Sequence, residues 1–309
     1  KAMISKQLVT LKNDVPLKND ATSFIIKDIN KDKLYEFLRE MEFNRLLSQA
    51  ISYYGEPGKK DFDEKNSIKN NVINKKSYKT ISNERQLDEL IKKLNEKSII
   101  AVDTETSSLN PQEADLVGVS ICYKPNEAFY IPVGHKEKTE LKKDLVLKKL
   151  KPILEDESIK KVGQNIKYDF IIFKNHSIEL GPVDDTMLLS YTLDAGNNRH
   201  NMDTLSELHL GHKTISYKEV VGTGKKQLNF SEVDLKSATT YAAEDADITL
   251  RLYEILSERV NEEKLNKIYD VFEKPMIKIL SKLETTGIKV DDAYLKKLSK
   301  KFEERLIKI

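Results

Sequence analysis

The chain has 309 residues, 39% hydrophobic and 33% charged, enough for about two domains with a buried core. No stretch approaches the roughly 18 apolar residues of a membrane-crossing helix, and no basic-then-apolar leader opens the chain. Its 52 basic and 50 acidic side chains leave a net charge of +2, which argues against a histone-like binder but allows a local basic groove.

The chain starts at Lys1 rather than Met, which points to a piece of a longer polypeptide. Lys6 to Pro16 reads as a short extended or helical end stopped by Pro16. A helix is predicted near 32–50, with Leu34, Phe37, Leu38, Met41, Leu46 and Leu47 as its apolar stripe. Gly55-Glu56-Pro57-Gly58 then breaks structure. Lys, Asn and Asp dominate to residue 76, with Phe62, Ile68, Val72 and Ile73 as the large apolar residues, so 55–77 reads as a flexible linker.

A compact domain is expected from Tyr78. Asn83 caps a helix whose Leu87, Leu90, Ile91 and Leu94 share a face. Residues 98–102 form a buried-strand run, and 116–123 and 128–133 read as a hairpin turned by Lys124-Pro125-Asn126-Glu127. The single cysteine, Cys122, packs in that hairpin. It excludes an internal disulfide or a Cys-based zinc cluster and fits a reducing compartment. A helix near 139–154, a short strand at Lys161-Val162 and a mainly helical remainder to about 262 complete a mixed sheet flanked by helices, an α/β fold. Beyond Glu273-Lys274-Pro275 a helix is predicted with Met276, Ile279, Leu280 and Leu283 as its stripe. Another opens at Val290-Asp291 with nothing evident to pack on.

Three acidic signals stand out. Asp103 and Glu105 follow the 98–102 strand two residues apart and share a face if the strand continues; a solvated pair in a loop is the plainer reading of that triplet alone. Asn165 and Asp169 stand four apart and share a helical face, which makes Asp169 either a buried acid or a partner for Lys167 or Lys174. Tyr241 and Asp245 head a stripe continued by Ile248, Leu252 and Ile255. A carboxylate and a phenol there are costly unless they act, the alternative being a Tyr–Asp anchor. Asp247 lies about 200° around the helix from Asp245 and is a poorer candidate. Together Asp103, Glu105, Asp169 and Asp245 supply hard oxygen ligands suited to Mg²⁺ or Mn²⁺. Two such ions ~4 Å apart would activate a water and stabilise a leaving oxygen, with Tyr241 orienting or helping to deprotonate that water.

These motifs, Asp103-x-Glu105, Asn165-x3-Asp169 and Tyr241-x3-Asp245, resemble those of the DEDDy 3′→5′ exonucleases. AVDTETSSL, KVGQNIKYD, RHNMDTLSELHLGHKTI and YAAEDAD are similar to the proofreading domain of bacterial family-A DNA polymerases, the DNA polymerase I type, over roughly 78–262. SKQLVTLKNDVPL and FLREMEFNRLL resemble the tail after that family's 5′-nuclease domain, which assigns 1–54. PMIKILSKLETTGIKVD resembles the entry to its polymerase domain, so 263–309 would be a truncated start without the polymerase site.

The resemblance implies a ribonuclease H-like fold with helical extensions at both ends. Asp103, Glu105 and Asp245 would bind one divalent cation, Asp103 and Asp169 would flank a second, and Tyr241 would hold the nucleophilic water. Mg²⁺ is the expected ion, with Mn²⁺ or Zn²⁺ as alternatives. Leu109 would wedge beside the terminal base, Gln164 and Asn165 would contact the 3′-terminal nucleotide, Arg199 would lie near the scissile phosphate, and Tyr217 would stack where the family often has Phe. The expected activity is removal of nucleotides from single-stranded or frayed DNA 3′ ends. The alternatives are a ribonuclease D-like exoribonuclease and a silent DNA-binding scaffold. The implied setting is a cytoplasmic, nucleoid-associated monomer whose partners are a DNA 3′ end and the missing 5′-nuclease and polymerase domains. His135, His176, His200, His209 and His212 lack zinc-site spacing, and Gly222-Thr-Gly224-Lys225-Lys226 reads as a flexible basic loop rather than a phosphate loop.

Overall fold

A computed structural model describes residues 1–11, 16, 29–41, 43–55, 73–137, 139–224 and 227–308. The chain divides into two units, 1–67 and 68–309.

In the first unit, α1 (Ala2–Val9) buries no residue. The expected single helix is two, α2 (Lys31–Glu40) and α3 (Asn44–Tyr54). The break follows the pattern of burial. Tyr35 and Leu38 meet Ala50, with Leu34, Leu47, Ile51 and Tyr54 around them, and this requires the second helix to fold back on the first. The Tyr35 hydroxyl donates to the Gly55 carbonyl at 2.6 Å and closes the hairpin. Most of the expected linker, 56–72, lies outside the described residues.

In the second unit, Ile73 packs on the domain core and residues 75–77 form one 3₁₀ turn, so the described end of that linker is part of the packed structure. Then come β1 (Lys79–Thr80), α4 (Glu84–Leu94), β2 (Ile99–Thr106), β3 (Leu116–Lys124), β4 (Glu127–Pro132), α5 (Lys143–Leu154), β5 (Lys160–Gly163), α6 (Lys167–Asn175) and β6 (Val183–Asp185). The six strands pair in the order β1-β4-β3-β2-β5-β6, parallel except where β3 meets β2 and β4. Asn83 caps α4 as predicted, its side chain accepting the Gln86 N–H at 3.0 Å. The hairpin turn also holds, with Asn126 at φ 68. The two-residue β1 and three-residue β6 were not expected, because strands that short carry no periodicity.

Helices α7 (Thr186–Asp194), α8 (Met202–Leu210), α9 (Tyr217–Val221) and the 28-residue α10 (Leu235–Glu262) follow. Two layers cover the sheet. Ile100, Val102, Val119, Ile121 and Ile131 face α4, α5 and α6 in the main core. On the other face Ala101, Cys122 and Ala128 meet Ala243, Ala246 and Leu250 of α10. Small side chains on both sides let α10 lie close against the strands. Gly118 opens space for the Tyr130 ring, since a Cβ there would sit 2.1 Å from the Tyr130 hydroxyl oxygen. Gly118→Ala is expected to cost ~1–3 kcal/mol of stability by overpacking, read from urea unfolding.

The C-terminal run is α11 (Asn266–Ile268), a π turn over Tyr269–Glu273, α12 (Lys274–Thr286) and α13 (Asp292–Leu306). The predicted α12 stripe is a correction. Met276, Ile279, Leu280 and Leu283 are exposed, and Ile277 and Ser281 are buried instead, on the side packed against α6. Buried Asp184 ties this run to the sheet, accepting from Lys160 Nζ at 2.8 Å, Lys274 Nζ at 2.6 Å, Tyr253 at 3.1 Å and Tyr269 at 3.2 Å. No residue of α13 is buried.

Candidate active site

Strand β2 does not end at residue 102. It continues through Asp103, paired with Ser120, and Glu105, paired with Gly118. Alternation therefore puts both acids on the Ala101 face, toward α10. Asp245 comes from α10, and one carboxylate oxygen from each of Asp103, Glu105 and Asp245 lies within 4.8 Å of the others. Glu105 and Asp245 are only 7% and 8% exposed. Burial and mutual repulsion hold Asp103 and Glu105 well above the usual carboxylate range, and burial, with Glu244 and Asp203 nearby, pushes Asp245 up to about 8. Glu105 Oε1 is buried without a hydrogen-bond partner. Converging hard oxygen donors, one of them orphaned, fit a divalent cation.

Asp169 approaches from α6, in the opposite layer. Its Oδ1 accepts from both the N–H of Thr104, at 2.9 Å, and the Thr104 hydroxyl, at 2.5 Å. The reason lies in the sheet. β5 pairs with β2 only as far as Ala101 opposite Val162, so the Thr104 N–H has no strand to bond and the carboxylate takes that place. Burial, then the charge of Asp103, keeps the Asp169 carboxyl well above its ordinary range, and its charge also reaches Glu105. Asp169 is thus beside the triad and is not partnered by Lys167, which pairs with Glu284. Thr104→Val keeps the shape and removes the hydroxyl bond. On the exonuclease expectation, cleavage of a labelled oligonucleotide falls about tenfold with little change in Tm, and Thr104→Ser retains it.

Tyr241 stands one helical turn before Asp245 on α10, close enough for the carboxylate charge to act on its phenol. Burial and the charges of Asp245, Glu105 and Asp103 push its phenol far up, so it is a neutral donor, suited to orienting a water rather than deprotonating one. Tyr217 stands 6.2 Å from Tyr241, ring centre to centre, and stacks on Phe230 at 6.2 Å and 11°. It is 40% exposed, and the Glu105 charge reaches it. Phe230, which the sequence did not single out, supports both tyrosine rings.

Other expected residues are placed as follows. Leu109 is no core leucine: it is 95% exposed on the loop after β2. That loop is held by Tyr168 on the Ser108 carbonyl, Asn175 on Pro111 at 2.8 Å and Asn229 on Ser107 at 3.0 Å. Asn165 is a correction: it does not share a helical face with Asp169 but precedes α6 at φ 58, exposed. Asp185 causes this. Its carboxylate accepts the N–H groups of Asn165, at 3.0 Å, and Ile166, at 2.9 Å, while also capping α7 through Met187 at 2.8 Å. The Gln164 amide is engaged by the His200 carbonyl, at 2.8 Å, and the Thr186 hydroxyl. Arg199 is exposed. Asp247, the poorer candidate, is fully buried and serves Tyr78 at 2.8 Å, the Asn126 N–H at 3.0 Å and Arg251 at 3.0 Å. Part of the 222–226 loop, Lys225-Lys226, lies outside the described residues. Among the described residues no helix is long and apolar enough to cross a membrane.

Comparison with known proteins agrees with this geometry. Residues 78–261 match the model of the 3′-5′ exonuclease family. DNA polymerase I of Pseudomonas aeruginosa is 36% identical over 99% of this chain and 34% of its own length. The chain thus spans about a third of the curated relatives it matches. Two solved structures share the fold. The POL domain of Pol1 from M. smegmatis has a TM-score of 0.58 at 18% identity, over 73% of this chain and 35% of that one. Escherichia coli RNase D has a TM-score of 0.52 at 17% identity, over 68% and 51%. Fold alone therefore does not separate the DNA and RNA branches, whereas sequence identity lies with the polymerases. By its matched residues, its acids and its sheet, the chain belongs to the 3′-5′ exonuclease family, in the form related to DNA polymerase I.

Proposed function

We propose that this chain removes nucleotides one at a time from single-stranded or frayed DNA 3′ ends, as the editing part of a DNA polymerase I-type enzyme. The observation that carries the reading is the meeting of Asp103, Glu105 and Asp245, with Glu105 Oε1 unpartnered, beside the half-exposed Tyr217 ring. Asp103, Glu105 and Asp245 would hold one divalent cation, and Asp103 with Asp169 a second, Mg²⁺ by the hardness of the donors, with Mn²⁺ or Zn²⁺ as substitutes. When bound, such ions supply an activated water and charge stabilisation at the scissile phosphate. Tyr241 orients that water through its O–H. Tyr217 offers a stacking face that is indifferent to base identity, and Leu109 stands ready to part the terminal base from its neighbour. Arg199 sits near the phosphate, and Gln164 and Asn165 line the terminal nucleotide, with Gln164 also bracing the turn. Reading backbone rather than base edges makes the site sequence-blind, and a mismatched end enters more readily because it frays.

Residues 1–54 act as a tail after a 5′-nuclease domain, 55–77 as a connection, and 263–309 as the approach to a polymerase domain. The working protein is a monomer of the cytoplasm, associated with the nucleoid.

The test uses 5′-labelled and 3′-labelled DNA and RNA oligonucleotides with Mg²⁺ or EDTA. Expected is a ladder from the 5′-labelled DNA and mononucleotide from the 3′-labelled DNA, both abolished by EDTA and restored by Mg²⁺ or Mn²⁺. A strong preference for RNA would move the assignment to a ribonuclease D-like enzyme.

A further inference from the structure

Glu244 is fully buried, one residue before Asp245 and three after Tyr241, yet no step of the proposed chemistry uses it. Each of its oxygens is taken. Oε1 receives Lys75 Nζ at 2.6 Å and His212 Nε2 at 2.7 Å, and Oε2 receives the backbone N–H of Ile215 at 2.8 Å. These partners come from two places. Lys75 stands in the 3₁₀ turn before the family-matched residues 78–261. His212 and Ile215 belong to the segment between α8 and α9 that has no regular structure. Ser216 then caps α9, whose first residue is Tyr217. A carboxylate rooted in α10 therefore ties residues 211–216, which no helix or strand ladder holds, to the helix of Tyr241 and Asp245, while Ser206 on the His212 carbonyl at 2.8 Å and Thr214 on Asp203 at 2.6 Å tie the same segment to α8. Buried ionic groups that are fully hydrogen-bonded rigidify and specify one arrangement, and a reactive constellation tolerates little displacement.

We infer that Glu244 is a positioning residue for the exonuclease site and that Lys75, from outside the matched domain, completes it. The clamp couples the stacking platform at Tyr217 to the water-orienting and ion-binding residues of α10. Lys75 also pairs with the carboxylate and offsets part of the negative charge that Glu244 places beside Asp245.

The inference rests on the proposed nuclease function, and the experiment separates the two. In the full chain, kcat and KM on a single-stranded DNA oligonucleotide are measured with Mg²⁺ for Lys75→Met, Lys75→Arg, Glu244→Gln and Asp103→Ala, alongside Tm and the slope of log KM against log salt. Expected are a KM raised about tenfold in Lys75→Met and Glu244→Gln at temperatures far below their Tm, and a KM within about twofold of the parent in Lys75→Arg. The salt slope should be unchanged in Lys75→Met, because a lysine that met a phosphate would lower it by about one. Parent-like KM and kcat in both Lys75→Met and Glu244→Gln, a loss of Tm alone, or a lowered salt slope would overturn the clamp. Full activity in Asp103→Ala would instead overturn the nuclease assignment.

Discussion

Replacing Asp103 and Glu105 together by alanine is expected to slow release of the 3′ nucleotide by about 10³-fold or more, the equivalent of ~4 kcal/mol of charge stabilisation lost from the transition state. The fold should survive. Ala101, Val102 and the β3 pairings that hold β2 do not depend on the two carboxylates, and removing them relieves repulsion among buried acids. In EDTA the double variant should therefore melt at or above the parental temperature. Addition of Mg²⁺ should stabilise the parent and leave the variant unmoved, since binding to the native state alone raises stability. Digestion of DNA at the parental rate by a folded double variant would reject the site. An unfolded variant would show instead that these acids hold the sheet together, contrary to the pairing described.

The second large effect is on stability against pH. In the metal-free protein Asp103, Glu105 and Asp169 are held well above their ordinary values, Asp245 is raised to about 8 and Asp185 to about 6, all chiefly by burial. A raised folded-state value means that the native state binds protons the unfolded state has released, so stability falls as pH rises. These groups contribute fully below about pH 4, where unfolded carboxylates titrate, and the contribution is lost on the way up through pH 8. Asp184 runs the other way. Burial would raise it, but hydrogen bonds from Lys160 and Lys274 outweigh that and hold it low, so its effect falls below pH 4 and outside the window. Inside the window burial holds His135, His176 and His209 below the ordinary imidazole value and Lys161 at about 8, which opposes the decline, and the five raised acids outweigh them. Melts in EDTA should show Tm declining from pH 5.5 to 8.5. With saturating Mg²⁺ the decline should flatten or reverse, because the cation competes with those protons and binds best where they are gone. A metal-free Tm that rises with pH across that window would mean the acids are not gathered as described.

The sequence told most where periodicity was long and unambiguous. The cap at Asn83, the β3–β4 hairpin and the α10 stripe all announce themselves, and the first and third acidic motifs supply Asp103, Glu105 and Asp245, whose carboxylate oxygens meet within 4.8 Å. What it hid were arrangements decided by tertiary contact. The turn at Asn165 exists because Asp185, twenty residues on, accepts two of its N–H groups. A run reading Asn-Ile-Lys-Tyr-Asp carries no trace of that and looks like uninterrupted helix. The fold-back of α2 on α3 is similar, since each helix is amphipathic and only their mutual packing marks the corner. Thr104 gives no signal because a threonine in a strand is ordinary. Its role depends on where the neighbouring strand stops. For α12 the exposed stripe outnumbers the buried pair Ile277 and Ser281, so counting apolar residues chose the wrong face.

Asp169 occupies the place of a missing strand residue, so the proposed activity would depend on the length of β5. Two further residues of extended chain after Gly163 would carry the β2–β5 ladder forward to Thr104 and give its amide a carbonyl. The carboxylate would then be evicted by main chain, with no acid altered. Insertions at 163–164 would thus silence the proposed nuclease while the spacings Asp103-x-Glu105, Asn165-x3-Asp169 and Tyr241-x3-Asp245 stay intact, and a count of the acids would miss the loss.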